Sequence, residues 1–207
     1  MKESFYVGNV SLLFGGVALF LNSLTLFGKV DLRSAGVFSL ITGLLQTFIA
    51  TYLVIGAAGD PALTFGYASI YLFAFTYVYV GITFLFNLDG SGVGWFSLFV
   101  AIAALFYAFV SFTTNDIIGG VTWLFWALLW SLFFLGMGMN RPIDAITARV
   151  ALVLSWLTLI VPALIGLRFG YFSTAYQWLW SGAAILTVVY FLYTMMKFSM
   201  LRTIRSS

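Results

Sequence analysis

The chain contains no cysteine and no histidine. Disulfides and thiolate chemistry are thereby excluded, along with the commonest metal ligand and the side chain most used as a general base near neutral pH. Charge is nearly as scarce. Asp, Glu, Lys and Arg make up 7% of 207 residues, where soluble domains carry about 25%. Hydrophobic residues account for 63%, which points to an integral, all-α membrane protein. The N-terminus also lacks the basic stretch and small-residue cleavage site of a removable signal peptide: Lys2 is offset by Glu3, and the apolar run that follows continues to spanning length. The first segment is therefore expected to stay as a helix. The net charge of +3 is spread over loops without a basic-aromatic patch, so nucleic acid is not an expected partner.

Crossing the hydrocarbon core takes about 20 apolar residues, and seven such runs are present. They lie near residues 7–27, 35–57, 64–86, 93–112, 117–139, 147–167 and 176–198. Loop charge predicts their orientation. Lys29, Arg33, Arg141, Arg149, Lys197, Arg202 and Arg205 fall on one side and only Lys2 and Arg168 on the other, which puts the C-terminus in the cytoplasm and the N-terminus outside.

Three loops on the predicted cytoplasmic side share an ending. "KVD", "NLD" and "PID" finish on Asp31, Asp89 and Asp144, at spacings of 58 and 55 residues, and five positions after the first two come "GVFSL" (Gly36 to Leu40) and "GWFSL" (Gly94 to Leu98). The recurrence predicts a two-helix hairpin repeated three times, at about 7–57, 64–112 and 117–167, with one extra C-terminal helix at about 176–198, all in a single membrane domain over 1–207. The same aspartates suit helix N-termini, where a carboxylate meets the positive end of the dipole.

No ionisable residue falls at mid-membrane. Glu3, Asp31, Asp60, Asp89, Asp116, Asp144 and all nine bases sit in tails or loops. Proton-coupled and ion-conducting proteins normally keep such groups inside the bilayer despite a cost of at least ~2.5 kcal/mol each. An enzyme would need a base, nucleophile or ligand there, and serine alone has no activator. A passive path for a neutral solute and a purely structural role remain.

Helical spacing offers a lining for such a path. In "WLFWALLW", Trp123, Trp126 and Trp130 stand at i, i+3 and i+7 within an arc of about 60°, and Gly119, Phe133 and Met137 extend the stripe. Tryptophan in a membrane helix normally sits at the water interfaces, so three at mid-depth need a reason. "FAFTYVYVGIT" sets Phe75 and Tyr79 at i and i+4 with Thr83 one turn on, while Leu12 and Leu19 are i, i+7 neighbours on the first helix with Asn22 close below. Tyr77 is expected to point away from the Phe75/Tyr79 face. Asn22 and Gln46 suit interhelical hydrogen bonds, and Gly15, Gly16, Gly119 and Gly120 suit close helix approach. With 20% aromatic residues, packing against lipid or neighbouring helices would leave the same pattern.

"YLFAFTYVYVGI" followed by "LDGSGVGWFSLFVAIAAL" resembles the most characteristic block of the AmiS/UreI family of urea and short-chain amide channels. "LLFGGVALFLNSLTLFGKVDLRSAG" is similar to that family's first helix and first cytoplasmic loop, "WLFWALLWSLFFL" to its fifth helix, and the seventh helix is like the amide-transporter branch. The resemblance implies a passive channel with one pore per protomer and no cofactor or metal. It also implies a homo-oligomer, hexameric around a lipid-filled centre in some members, and a functional link to a cytoplasmic urease or amidase. Its narrow pore would be lined here by Leu12 and Leu19, by Phe75 and Tyr79, and by Trp126, Leu129 and Trp130, with Trp123 one turn outward and Thr83 and Asn22 completing the candidate set. A flat amide would pass between aromatic walls whose Trp N–H and Tyr O–H offer hydrogen bonds. A wholly apolar slot would cost ~4–8 kcal/mol for a stripped amide.

Departures from the family pattern carry expectations too. Leu154 stands eight positions before Pro162, where the family usually has an acid, and Phe38 and Thr83 stand where it often has Asn. Lost polar handles imply a preference for larger or less polar amides, or another neutral solute such as ammonia; a non-conducting structural or sensory subunit is the alternative outside transport. The loop "GAAGDPALT" is short and lacks the histidine of acid-gated members. An ungated pore is expected, insensitive to outside pH between about 5 and 8 because no unperturbed side chain titrates there.

Overall fold

A computed structural model describes residues 2–206, all of whose regular structure is helical. Seven helices are long and apolar enough to cross a membrane: α1 (Lys2–Leu26), α2 (Leu32–Gly56), α3 (Pro61–Phe86), α4 (Ser91–Thr113), α5 (Ile117–Gly138), α6 (Asp144–Phe169) and α7 (Thr174–Ser206). The predicted runs are all present, but several helices begin about three residues earlier than their apolar stretch. Polar caps account for the difference at α2 and α3, and a third cap opens α5 at its predicted start. Asp31 accepts from Ser34 N (3.0 Å), Asp60 from Leu63 N (2.8 Å) with Pro61 in the first turn, and Asp116 from Gly119 N (2.9 Å).

The three loop aspartates therefore play different parts. Asp31 caps α2, whereas Asp89 bonds two residues ahead, accepting from Ser91 N (2.9 Å) and from the Ser91 hydroxyl. Those bonds hold its carboxyl below the usual carboxylate range. Asp144 is itself the first residue of α6 and makes no cap bond.

Residues 1–171 form one compact unit and 172–207 a second. The second is the single helix α7, whose start is fixed by Tyr176 N donating to Ser173 Oγ (3.2 Å). In the first unit, α2 packs most extensively on α3, α4 on α5, and α1 on α6. Glycine permits two of these contacts. A Cβ on Gly36 would press on Phe84 Cβ and Gly81 O, and one on Gly43 or Gly81 would meet backbone of the opposite helix. In the second block Gly94 abuts Gly138 backbone directly. The repeated Gly-aromatic-Ser blocks thus do the same job twice, with Gly36 and Gly94 at the close approach and Ser39 and Ser97 fully buried one turn on.

Two helices widen into π turns. In α6, Ser155–Ile160 is π-helical and Val161 N reaches back to Trp156 O; Pro162, one residue further, has no N–H to give to a carboxamide oxygen in the preceding turn. In α5, Phe134–Gly138 is π-helical and Met139 N bonds Phe134 O.

Candidate functional site

Three helices meet at the tryptophan stripe. Trp126 and Trp130 on α5 are both buried, and the Phe73 ring of α3 lies edge-on to each, with centroids 4.6 and 4.8 Å away. Trp123 is half-buried one turn out, stacked on Tyr107 of α4 at 4.5 Å and edge-on to Trp126 at 4.7 Å. Next to Trp130 a cavity of about 60 Å³ opens, several times the roughly 10–15 Å³ that one water needs. Leu19, Asn22, Thr76, Tyr77, Trp130 and Met137 form part of its wall, and Asp144 and Thr147 lie toward the end where α6 begins. Among the described residues, no other acid or base lines it.

The first helix is locked against this wall by buried hydrogen bonds. Tyr77 Oη donates to Gly15 O (2.7 Å), and Gln46 Nε2 donates to Ser11 O (3.0 Å) one turn earlier. Gly15 leaves room for the Gln46 amide, while Gly16 meets Leu159 and Ile160 on the π turn of α6. Asn22 accepts from Ser39 Oγ (3.1 Å) and so ties α1 to α2 while also lining the cavity. Tyr77→Phe deletes one of these bonds and is expected to lower stability by about 1 kcal/mol. A thermal midpoint in detergent equal to that of the unaltered protein would remove Tyr77 from the lock.

Of the expected lining residues, Leu19, Asn22 and Trp130 wall the cavity, and Trp126 and Trp123 continue the aromatic surface beyond it. Leu129 is fully buried behind that surface, Leu12 is half-buried, and Thr83 is buried with its hydroxyl unpaired; none of the three borders the cavity. Gly119 makes room for the Asp116 cap rather than for a helix, while Gly120 meets the Phe112 ring.

On α3, Phe75 and Tyr79 are 48% and 38% exposed and do not border the cavity, whereas Phe73 meets Trp126 and Trp130 and Tyr77 lines the cavity. The cause is the α2–α3 contact: with Gly43 against Ala74 and Val78, and Gly81 against Leu40, the helix can only present Phe73, Thr76, Tyr77 and Val80 to the interior. Two residues at 100° each carry Phe75 about 200° from Phe73. Small and hydroxylated residues were the available signal, since in membrane helices they mark the packed face: Ala74, Thr76, Gly81 and Thr83 are all buried.

The indole N–H groups are already engaged. Trp126 Nε1 donates to Thr158 Oγ1 (3.0 Å) and Trp130 Nε1 to Thr76 Oγ1 (3.3 Å). Both donors are thus satisfied within the bundle, and Asn22, Thr25, Thr76, Tyr77, Ser97, Asp144 and Thr147 are the polar residues of the cavity wall.

Comparison with known proteins identifies the family. Residues 7–169 match the model of the AmiS/UreI family transporters. The chain is 46% identical over 182 residues to a protein of Rhodococcus erythropolis named putative transporter protein AmiS2, covering 86% of this chain and 88% of the relative. It is 41% identical over 148 residues to a putative amidate substrates transporter protein of Mycolicibacterium smegmatis, covering 71% and 68%. The crystal structure of the urea channel from Helicobacter pylori superposes with a TM-score of 0.71 at 28% identity, over 79% of this chain and 98% of that one. With a family match over most of its length and relatives above 40% identity, the chain belongs to the AmiS/UreI family of transporters.

Proposed function

We propose that the protein is a passive channel for small neutral amides, urea and acetamide among them. The observation that carries this reading is the cavity beside Trp130: it has a mostly apolar wall dotted with the neutral polar groups of Asn22, Thr25, Thr76, Ser97 and Thr147, with Asp144 at the end where α6 begins, and an aromatic surface of Phe73, Trp126 and Trp130 leading from it. Flat, neutral, hydrogen-bonding solutes suit such a wall, and hydrated ions lose far too much solvation to enter. The names of the relatives, an amidate substrates transporter and the acid-activated urea channel of Helicobacter pylori, support the amide class.

The remaining parts of the reading follow loop charge and family resemblance. The protein sits in the cytoplasmic membrane with its N-terminus outside, as a single domain of three hairpins and an extra helix. It works as a homo-oligomer, hexameric and enclosing lipid, and feeds a cytoplasmic urease or amidase.

The channel is ungated by acid. The sequence has no histidine, and the bonds from Ser91 keep Asp89 ionised to a lower pH than an ordinary carboxylate; a depressed carboxyl contributes stability above its unfolded pKa and loses it only as pH falls through the folded value. That window lies below pH 5. Uptake of isotope-labelled acetamide by cells making the protein should exceed that of cells without it and change by less than about twofold between pH 5 and 8. A several-fold rise on acidification would reject the ungated pore, and uptake equal to control cells would reject the channel.

A further inference from the structure

The two buried indoles are held by the same device from opposite sides. Thr158, in the π turn of α6, accepts from Trp126 and donates its own proton to Leu154 O (2.7 Å). Thr76, on α3, accepts from Trp130 and donates to Leu72 O (2.6 Å). In both cases the hydroxyl proton goes to the carbonyl four residues back, which turns a lone pair toward the indole and leaves the oxygen able only to accept. Both threonines are buried, and Phe73 stands edge-on to both indoles, so neither ring can turn without breaking a buried bond and a ring contact.

We propose that Thr76 and Thr158 are positioning residues that clamp Trp130 and Trp126 and thereby set the width of the amide path, making them determinants of solute size. The inference rests on the channel reading above, but the clamp itself is a property of the indoles that can be read without flux. Thr76 and Thr158 need not touch solute for this role. Their effect travels through the orientation of the rings, which an isosteric, non-accepting valine abolishes and a serine preserves.

The test uses the full-length protein in liposomes, as Thr76→Val, Thr158→Val and the two serine variants. Two quantities are read: the ratio of acetamide to butyramide permeability, and the ultraviolet resonance Raman band that reports hydrogen bonding at indole N–H. Each valine variant is expected to lower the ratio at least about threefold and to shift the band of one tryptophan toward a free N–H, and each serine variant to restore both. Unchanged ratio and band in the valine variants would overturn the clamp. Should a valine variant fail to reconstitute, Trp126→Phe and Trp130→Phe remove the donor instead of the acceptor, and retention of wild-type discrimination by both would equally overturn it. Absence of amide flux in the unaltered protein rejects the channel reading, and the Raman band then decides the clamp alone.

Discussion

Trp130→Ala is expected to raise permeability to solutes larger than acetamide by about tenfold relative to urea. Trp130 is 1% exposed and borders the cavity, so its removal merges the space beside it with the gap left by the indole. One methylene in a tight apolar site is worth about 1–3 kcal/mol, and 1.4 kcal/mol is a factor of ten in rate, so relieving the clash of even a single extra methylene suffices. The same substitution removes a large buried side chain and should cost about 3–5 kcal/mol of stability. Trp130→Phe separates the two effects, since it keeps a ring beside Phe73 while deleting the N–H. Flux is measured by stopped-flow on proteoliposomes of known protein content; wild-type size selectivity in Trp130→Ala would take this residue out of the path.

Gly94→Ala is expected to produce the largest loss of stability of any single methyl addition. A Cβ there would overlap the backbone of Gly138, and backbone, unlike the tip of a side chain, has nowhere to turn. Relief requires separating α4 from α5, which places the cost at or above the ~1–3 kcal/mol usual for overpacking. The displaced segment is the π turn Phe134–Gly138, which includes Met137 of the cavity wall, so surviving protein should also conduct abnormally. Gly8→Ala serves as the control, because nothing lies within 4 Å of its added methyl. Equal thermal midpoints for the two variants in detergent would show that the helices are not held at this point.

Much of the architecture was legible because long apolar runs and scarce charge leave few alternatives. The stripe on α5 was legible for a similar reason: Trp123, Trp126 and Trp130 share one face at any helical phase, and all three meet Phe73. Phase on α3 was not, because aromatic residues occupy both of its faces and periodicity alone cannot rank Phe75 over Phe73. The glycines that decide it, Gly43 and Gly81, act across a helix pair, and within α3 their trace is the row of small and hydroxylated residues rather than any aromatic period. The π turns were equally hidden. Pro162 marks a place where the α-helical ladder must break, but nothing in Ser155 to Ile160 says that the break is absorbed as a wider turn that sets Thr158 under Trp126. Asp144 looked like its repeat partners and differs from them through local geometry, opening its helix at the cavity rather than capping it.

The most direct measurement is stopped-flow light scattering of proteoliposomes shrunk by acetamide, beside vesicles shrunk by sodium chloride of equal osmolality. A passive neutral-amide channel predicts that acetamide-treated proteoliposomes re-swell several-fold faster than protein-free vesicles while salt-treated ones stay shrunken. Re-swelling in acetamide at the rate of protein-free vesicles, or recovery in sodium chloride, would contradict it.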